Sequence, residues 1–445
     1  MPLLQLTWPI LVENLLRVAL SSADVFMLSF YSEKAVAATG LITQFVFFIQ
    51  LLYLMVASGA SILISQNLGA RKNEQAGLIA LGSIVLGILF ALVTSAGMCG
   101  TAQQIVGFYK LEPQVHTFAL QYLLIYSGGS VFVALSMVLG TILRAHGHSR
   151  EPMIVNVIAM LFNVLGNYLF LFGPFGIPVL GVVGVALSTV ISQVIACILL
   201  VVLIRMRGDL DMPLGNIFRV PKQVYRQILE VGVPTAGENF SYNLGQIVIM
   251  RMVASLGTEA MAATVYAFTI LRFVFITSIS IGNGTQIKVG YFVGAGCADD
   301  AQHRVFRYFG LGFLISLVLV IIVNLFQSPL LDLFTKNAEI HHLIAAIFLV
   351  ALVLEPGRNF NVIIIPALKG AGDVRFPVYV GMIFMWGIGV LFAYLLGISL
   401  GWGLMGVWIA LAMDEWIRGL VMLQRWRKGK WKTKVFVKRE AAQAV

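Results

Sequence analysis

The feature that most constrains this chain is that its first half is written again in its second half at a fixed offset of 225 residues. Pro9, Glu13, Asn14, Ala37, Ala38, Thr39, Gly59, Gly69, Ala70, Gly147 and Pro152 recur as Pro234, Glu238, Asn239, Ala262, Ala263, Thr264, Gly284, Gly294, Ala295, Gly372 and Pro377, with no gap needed. Because the shared residues are glycines, prolines and a Glu-Asn pair, the repeat preserves backbone turns and embedded polar groups rather than general apolarity. Solenoid repeats run about 20 to 50 residues. A period this long reads as two similar bundles, an arrangement that in a membrane usually means transport.

Composition places those bundles in lipid. Charged residues make up 11% of the chain and hydrophobic residues 59%, with a mean hydropathy of +0.91, whereas soluble domains carry about 25% charge. Apolar stretches of about 20 residues suffice to cross a ~30 Å hydrocarbon layer as a helix. They predict spans at 6–30, 37–66, 75–100, 117–142, 152–173 and 181–204, then at 228–254, 261–288, 305–327, 341–365, 377–398 and 402–424. The expected fold is an all-α membrane protein with twelve transmembrane helices in two parallel six-helix repeats and a cleft between the lobes. Its expected parts are an N-terminal lobe (1–210), a cytoplasmic linker (211–227), a C-terminal lobe (228–425) and a basic cytoplasmic tail (426–445).

The lysines and arginines orient the chain. With a cytoplasmic N-terminus, the inner loops hold fourteen of them, Arg71, Arg144, Arg205 and Lys369 included, and the stretch from Arg425 to Arg439 adds eight. The outer loops hold Lys34, Lys110 and Lys336. That bias predicts a multi-pass cell (inner) membrane protein with both termini cytoplasmic. The net charge of +10 is then a topology determinant that also touches anionic lipid, and requires no nucleic acid. Met1 leads almost directly into a span too long for a signal-peptide core, so the first helix is expected to be a signal anchor. Cys99, Cys197 and Cys297 are odd in number and scattered, so neither disulfides nor metal ligands are expected. The six histidines fall in loops or at helix ends, and no phosphate-cradling G-x-x-x-x-G-K-[ST] loop occurs. No metal, no cofactor and no ATP site are therefore expected. An intramembrane enzyme would need a nucleophile beside a base; no buried histidine or paired aspartates supply one, so an enzyme is not expected.

The chemistry then rests on the few polar groups written into the spans, each costing roughly 2.5–3.5 kcal/mol if charged at mid-membrane. In the first helix these are Glu13, Arg17 and Asp24, which fall within about 40° of one another on a helical wheel. Glu13 and Arg17 are i, i+4 neighbours and can neutralise each other, whereas Asp24 has no local cation. Asn156, Asn163 and Asn167 share one face of the fifth helix, and Asn167 and Asp24 sit at similar depth near the outer ends of their helices. A carboxyl among amides in a low-dielectric site can gain and lose a proton in the physiological range. Three roles for Asp24 stand open: coupling an ion, bonding helices together, or lining a pore. In the second half Glu238, Arg272, Glu355 and Arg358 suggest a neutral network of two acids and two bases, either interhelical pairing or an ion or substrate site. Arg251 is expected to snorkel, Asp414 and Arg418 to form a local pair, and Pro356 and Pro366 to kink the tenth span. Phe45, Phe48, Tyr53 and Met55, with Tyr266, Phe268, Phe273 and Phe275, are candidates for an aromatic cleft wall that takes flat or amphipathic cations, or for lipid contact and core packing.

At these residues the chain resembles the multidrug and toxic compound extrusion transporters. T-W-P-I-L-V-E-N-L-L followed by Asp24, S-Q-N-L-G-A at 65–70, L-R-A-H-G at 143–147 and G-x-x-G-V-A-L-S-T at 181–189 are similar to that family. So are V-P-T-A-G-E-N, L-G-T-E-A-M-A-A, V-G-A-G and L-K-G-A-G-D in the second half. The resemblance implies an antiporter, driven by protons or sodium, that exports small organic, mostly cationic or amphipathic compounds by alternating access; a monomer is expected. In the DNA-damage-inducible branch the ion site lies in the N-terminal lobe, and its residues match Asp24, Asn163, Asn167 and Thr189. That branch has an acid where this chain has Asn167, which favours a proton over a two-acid sodium site. In the branch that uses the C-terminal lobe, the seventh-helix glutamate falls where this chain has Tyr242. The alternative within the fold is a flippase for lipid-linked oligosaccharides, whose cleft needs unpaired arginines for a pyrophosphate; Arg17, Arg272 and Arg358 all have candidate acid partners.

Overall fold

The computed structural model describes residues 2–207, 210 and 219–437. Positions 211–218 of the expected linker and 438–445 of the expected tail lie outside the described residues. Among the described residues there is no strand, and twelve long helices follow one another. They are Leu3–Tyr31, Glu33–Gly69, Asn73–Phe108, Pro113–Ala145, Arg150–Phe172, Val182–Met206, Lys222–Ser255, Thr258–Gly294, Ala298–Leu325, Ala338–Gly370, Arg375–Ser399 and Gly403–Arg427. Each overlies an expected span, and most extend past it. The second helix has 37 residues, about 55 Å at 1.5 Å per residue, so it continues beyond the hydrocarbon into the polar layers.

Among the described residues, nine of these helices are long and apolar enough to cross a membrane. The first, seventh and twelfth are less apolar because they carry Glu13, Arg17 and Asp24, Glu238 and Arg251, and Asp414, Glu415 and Arg418. In the ninth helix only 17% of the most apolar window is buried; Leu311, Leu314 and Val318 lie exposed. A continuous apolar face of that size marks contact with lipid rather than water.

The chain forms two compact units, one of residues 1–64 with 72–236 and one of 65–71 with 237–445. In unit 1 the third helix packs on the fourth, the fourth and fifth on the sixth, and the first on the fifth. Ile42, Leu123 and Tyr126 centre one of its cores, and Leu28, Leu171 and Val185 another. The start of the seventh helix belongs here because it lies against the second helix backbone to backbone. A Cβ at Gly59 would run into the Ile228 carbonyl, and one at Gly232 into that of Met55.

In unit 2 the eighth helix packs on the ninth, and the tenth on the eighth, ninth and twelfth. The cores gather around Phe348 and Trp408 and around Phe360, Trp426 and Trp431. Trp431, beyond the twelfth helix, stacks on Trp426 with ring centroids 4.2 Å apart, and Lys432 Nζ reaches Asp299 Oδ1 at 2.6 Å. Gly69 and Gly294, repeat mates in the S-Q-N-L-G-A and V-G-A-G motifs, meet where the second and eighth helices cross: a Cβ on either would strike the backbone of the other helix, at Tyr291 or Gln66. Those two residues are themselves 225 apart. Gly147 and Gly372, another pair of mates, take φ of 91° and 103° in the turns after the fourth and tenth helices, a conformation that costs glycine little. Between Pro356 and Pro366 the tenth helix widens into a π-type turn at Phe360–Ile364, a local departure from α geometry of the kind at which helices kink.

Candidate functional site

In unit 1 the first, fifth and sixth helices bring Asp24, Asn163, Asn167 and Thr189 into one hydrogen-bonded chain. Asn167 Nδ2 donates to Asp24 Oδ1 at 2.6 Å and to Asn163 Oδ1 at 3.2 Å. Asn163 Nδ2 in turn donates to Thr189 Oγ1 at 3.3 Å. The i, i+4 spacing puts both amides on one face of the fifth helix, and Gly166 lets that helix approach the sixth. A Cβ there would stand 2.6 Å from Ser188 Oγ. Tyr122 of the fourth helix completes the group beside Thr189 and Asp24, with its ring parallel to Tyr126. Asn156 is half-buried and is not part of this hydrogen-bonded group.

Two properties set this group apart chemically. Asn163 and Asn167 are buried, at 1% and 0% exposure, yet among the described residues no lysine, arginine or histidine stands within ion-pairing distance of Asp24. The Asn167 amide serves the ionised carboxylate as donor, while its Oδ1 is buried without a partner. With a half-turn of that amide, Oδ1 can accept from the carboxyl group in its protonated form. Both states of Asp24 therefore find a partner in one side chain.

The other acid of the first helix is bound differently. Glu13 pairs with Arg144 at the end of the fourth helix, at 2.9 Å, and more loosely with the expected Arg17, at 3.2 Å and 65% exposed. Its repeat mate Glu238 pairs with Lys369 at 2.6 Å, not with Arg272, which lies exposed and outside this network. Arg144 and Lys369 read from sequence as inner-loop charges, and their 225-residue relation escapes a search for identical residues because only the charge is kept.

Unit 2 holds a larger charged cluster. Glu355 meets Arg358 at 2.6 Å, as the i, i+3 spacing predicts, and Arg418 meets Asp414 at 3.0 Å. Glu415, which the sequence reading passes over, links the two pairs: it lies 3.4 Å from Arg358 and 3.0 Å from Arg418, and accepts from Asn361 at 2.7 Å. The expected balance of two acids and two bases is thus three carboxyls to two guanidiniums. A cavity of about 190 Å³ opens onto Tyr242, Asn283, Arg358, Asn361 and Glu415.

The aromatic candidates divide by burial. Tyr53 is fully buried and bonds Thr94 at 2.9 Å; Met55 is buried, and Phe268 packs on Trp408. These three are core residues of their own units. Phe45 packs edge-on to Tyr109, Phe48 beside Phe47, Tyr266 on Phe334, and Phe275 lies under the Arg358 guanidinium. Phe273 is 56% exposed.

Comparison with known proteins bears on the family and the fold. The sequence pattern of the MatE family matches twice, at residues 9–169 and 234–395, so the family match carries the same internal duplication. The chain is 38% identical over 431 residues to the uncharacterized transporter YisQ of Bacillus subtilis, covering 96% of this chain and 94% of that one. It is 27% identical to a probable multidrug resistance protein NorM of Thermotoga maritima, covering 98% and 94%. Its fold matches an outward-facing multidrug resistance MATE family transporter with a TM-score of 0.90 at 20% identity, covering 97% and 96%. With both halves matched and relatives aligned along nearly the whole length, this multi-pass membrane protein belongs to the MatE family of transporters.

Proposed function

We propose that the protein is a proton-coupled antiporter of the DNA-damage-inducible branch. It exports small organic, mostly cationic or amphipathic compounds by alternating access, from a cell (inner) membrane in which both termini face the cytoplasm. The observation that carries this reading is the cation-free Asp24 bonded to Asn167, with Asn163 and Thr189 behind it. An ion-paired carboxylate is held in one charge state by its partner; this one exchanges a proton by turning a neighbouring amide. Proton and cargo must favour opposite states for coupling to occur. Asp24 is ionised while cargo is bound, and protonation from outside rearranges its bonds, shifts or bends the first helix, and lowers the affinity for cargo. The relatives named for multidrug resistance support an organic cargo. Arg358 and Arg418 are engaged by carboxylates and offer no free guanidinium for a pyrophosphate-carrying lipid; Arg272 lies exposed without its expected acid partner, so it is the relatives named for multidrug resistance that weigh against the flippase alternative.

Sodium competes with the proton for the same site, because the half-turn that lets Asn167 Oδ1 face Asp24 would serve either cation; the proton is preferred because the fifth helix carries Asn167 where a two-acid sodium site would carry a second carboxylate. A second reading, coupling in unit 2, has one observation in its favour, the third carboxyl facing two guanidiniums. The test uses inverted membrane vesicles and uptake of a cationic dye under an imposed pH or sodium gradient. Asp24→Asn is expected to lose pH-driven uptake at normal protein levels while Glu355→Gln retains a pH response. Surviving uptake in Asp24→Asn would remove Asp24 as the coupling group, and a response to sodium alone would replace the proton.

A further inference from the structure

One feature of the repeat goes unused by the coupling site. Glu13 and Arg144 are 131 residues apart, and so are Glu238 and Lys369; each member of one pair is the 225-residue mate of a member of the other. Both pairs are formed, at 2.9 Å and 2.6 Å. Three of the four side chains lie below 15% exposure and Arg144 is at 18%. Each joins the inner half of the first helix of a repeat to the end of its fourth helix. The surroundings make room for both. Arg144 lies along Gly140, and a Cβ at Gly381 would come within 3.1 Å of Glu238 Oε1. Burial along the first helix follows the same division: Leu6, Thr7, Pro9, Ile10 and Glu13 are buried, and the next buried residue is Leu28. Asp24 lies in the less buried stretch between.

We infer that Glu13–Arg144 and Glu238–Lys369 are matched inner anchors, one per repeat, which fix the base of the first and seventh helices to the fourth and tenth. In the first helix the anchor makes Glu13 the fixed end against which the Asp24 stretch moves. A protonation event near the outer end is thereby converted into bending of the intervening stretch instead of sliding of the whole helix. Glu13 and Arg144 are positioning residues; neither touches the carboxyl of Asp24. The inference rests on Asp24 being the coupling group, and its test separates the two.

Purified variants in liposomes are assayed for dye uptake driven by a pH gradient, expressed per folded molecule, alongside dye binding in detergent. Glu13→Gln is expected to lower the maximal uptake rate about tenfold while leaving dye affinity within about twofold, and the charge swap Glu13→Arg with Arg144→Glu to restore uptake to within about threefold of the parent. Arg144→Lys, which writes the second repeat's residue into the first, should transport within about twofold of the parent. A residue that only holds the fold together would reduce the amount of folded protein and leave uptake per folded molecule unchanged. That result, or a folded swap that fails to transport, overturns the inference. If Glu13→Gln does not fold, the swap and Arg144→Lys decide alone, and failure of both to fold also overturns it. Loss of pH-driven uptake in Glu13→Gln but not in Asp24→Asn would sink the Asp24 reading and leave the anchors standing.

Discussion

Units 1 and 2 start their polar groups from the same place in the repeat and build them to opposite designs. Thr189 and Asp414 are mates at the 225-residue offset, each on the sixth helix of its half. From Thr189 the unit 1 group runs through two neutral amides to a single carboxyl on the first helix. From Asp414 the unit 2 group runs through Arg418, Glu415 and Arg358 to Glu355 on the tenth. The positions mating Asp24, Asn163 and Asn167 are Ile249, Ile388 and Phe392; Ile249 is packed in a unit 2 core. A duplicated frame can therefore keep its helices and anchors while one copy carries a mobile charge and the other a set of charges that hold one another. Buried ions that neutralise each other resist change, because removing one leaves its partner uncompensated. A carboxyl with only amide partners can change state at far lower cost.

That contrast can be broken at either end. The largest effect on stability is expected for Arg418→Ala, which leaves Asp414 without its cation and Glu415 with only Arg358; it should lower unfolding stability by about 3–5 kcal/mol, read from thermal melts in detergent. Asn167→Ala removes the amide that serves both states of Asp24. A hydrogen bond to a charged group contributes about 1.5–3 kcal/mol, so proton-driven dye uptake should fall roughly tenfold or more in liposomes. Gly294→Ala pushes a Cβ into the Gln66 carbonyl where the second and eighth helices cross, and overpacking of this kind costs about 1–3 kcal/mol, again visible as a lowered melting temperature. Phe273→Ala is the mildest. Its ring is exposed, so stability should stay within about 0.5 kcal/mol, and a change in the affinity for aromatic dyes would mark it as a cargo contact.

Much of this arrangement is legible before any coordinates, and the remainder is hidden for physical reasons. Helices as long and apolar as the third or sixth announce themselves by length and composition, and the depth match of Asp24 with Asn167 follows from counting residues to the helix ends. Arg144 is hidden because a basic residue at the end of a helix looks the same whether it faces the inner surface or reaches back to a buried Glu13. Glu415 is hidden by Asp414, whose i, i+4 arginine offers a complete local pair and leaves the adjacent acid without an evident task. Tyr122 carries no polar pattern of its own. The stripe containing Tyr53 and Met55 shows that periodicity gives a face without saying what covers it. The π-type turns in the tenth and eleventh helices depend on packing that no local propensity records.

The central claim, that the mobile charge is in unit 1 and not in unit 2, is tested most directly by counting protons. Addition of a saturating cationic dye to weakly buffered, detergent-purified protein should release protons from the wild type, detectable with a pH indicator. Asp24→Asn should bind the dye and release none, while Glu355→Gln should release as many as the wild type. Proton release undiminished in Asp24→Asn and lost in Glu355→Gln would contradict the account and move the coupling site to unit 2.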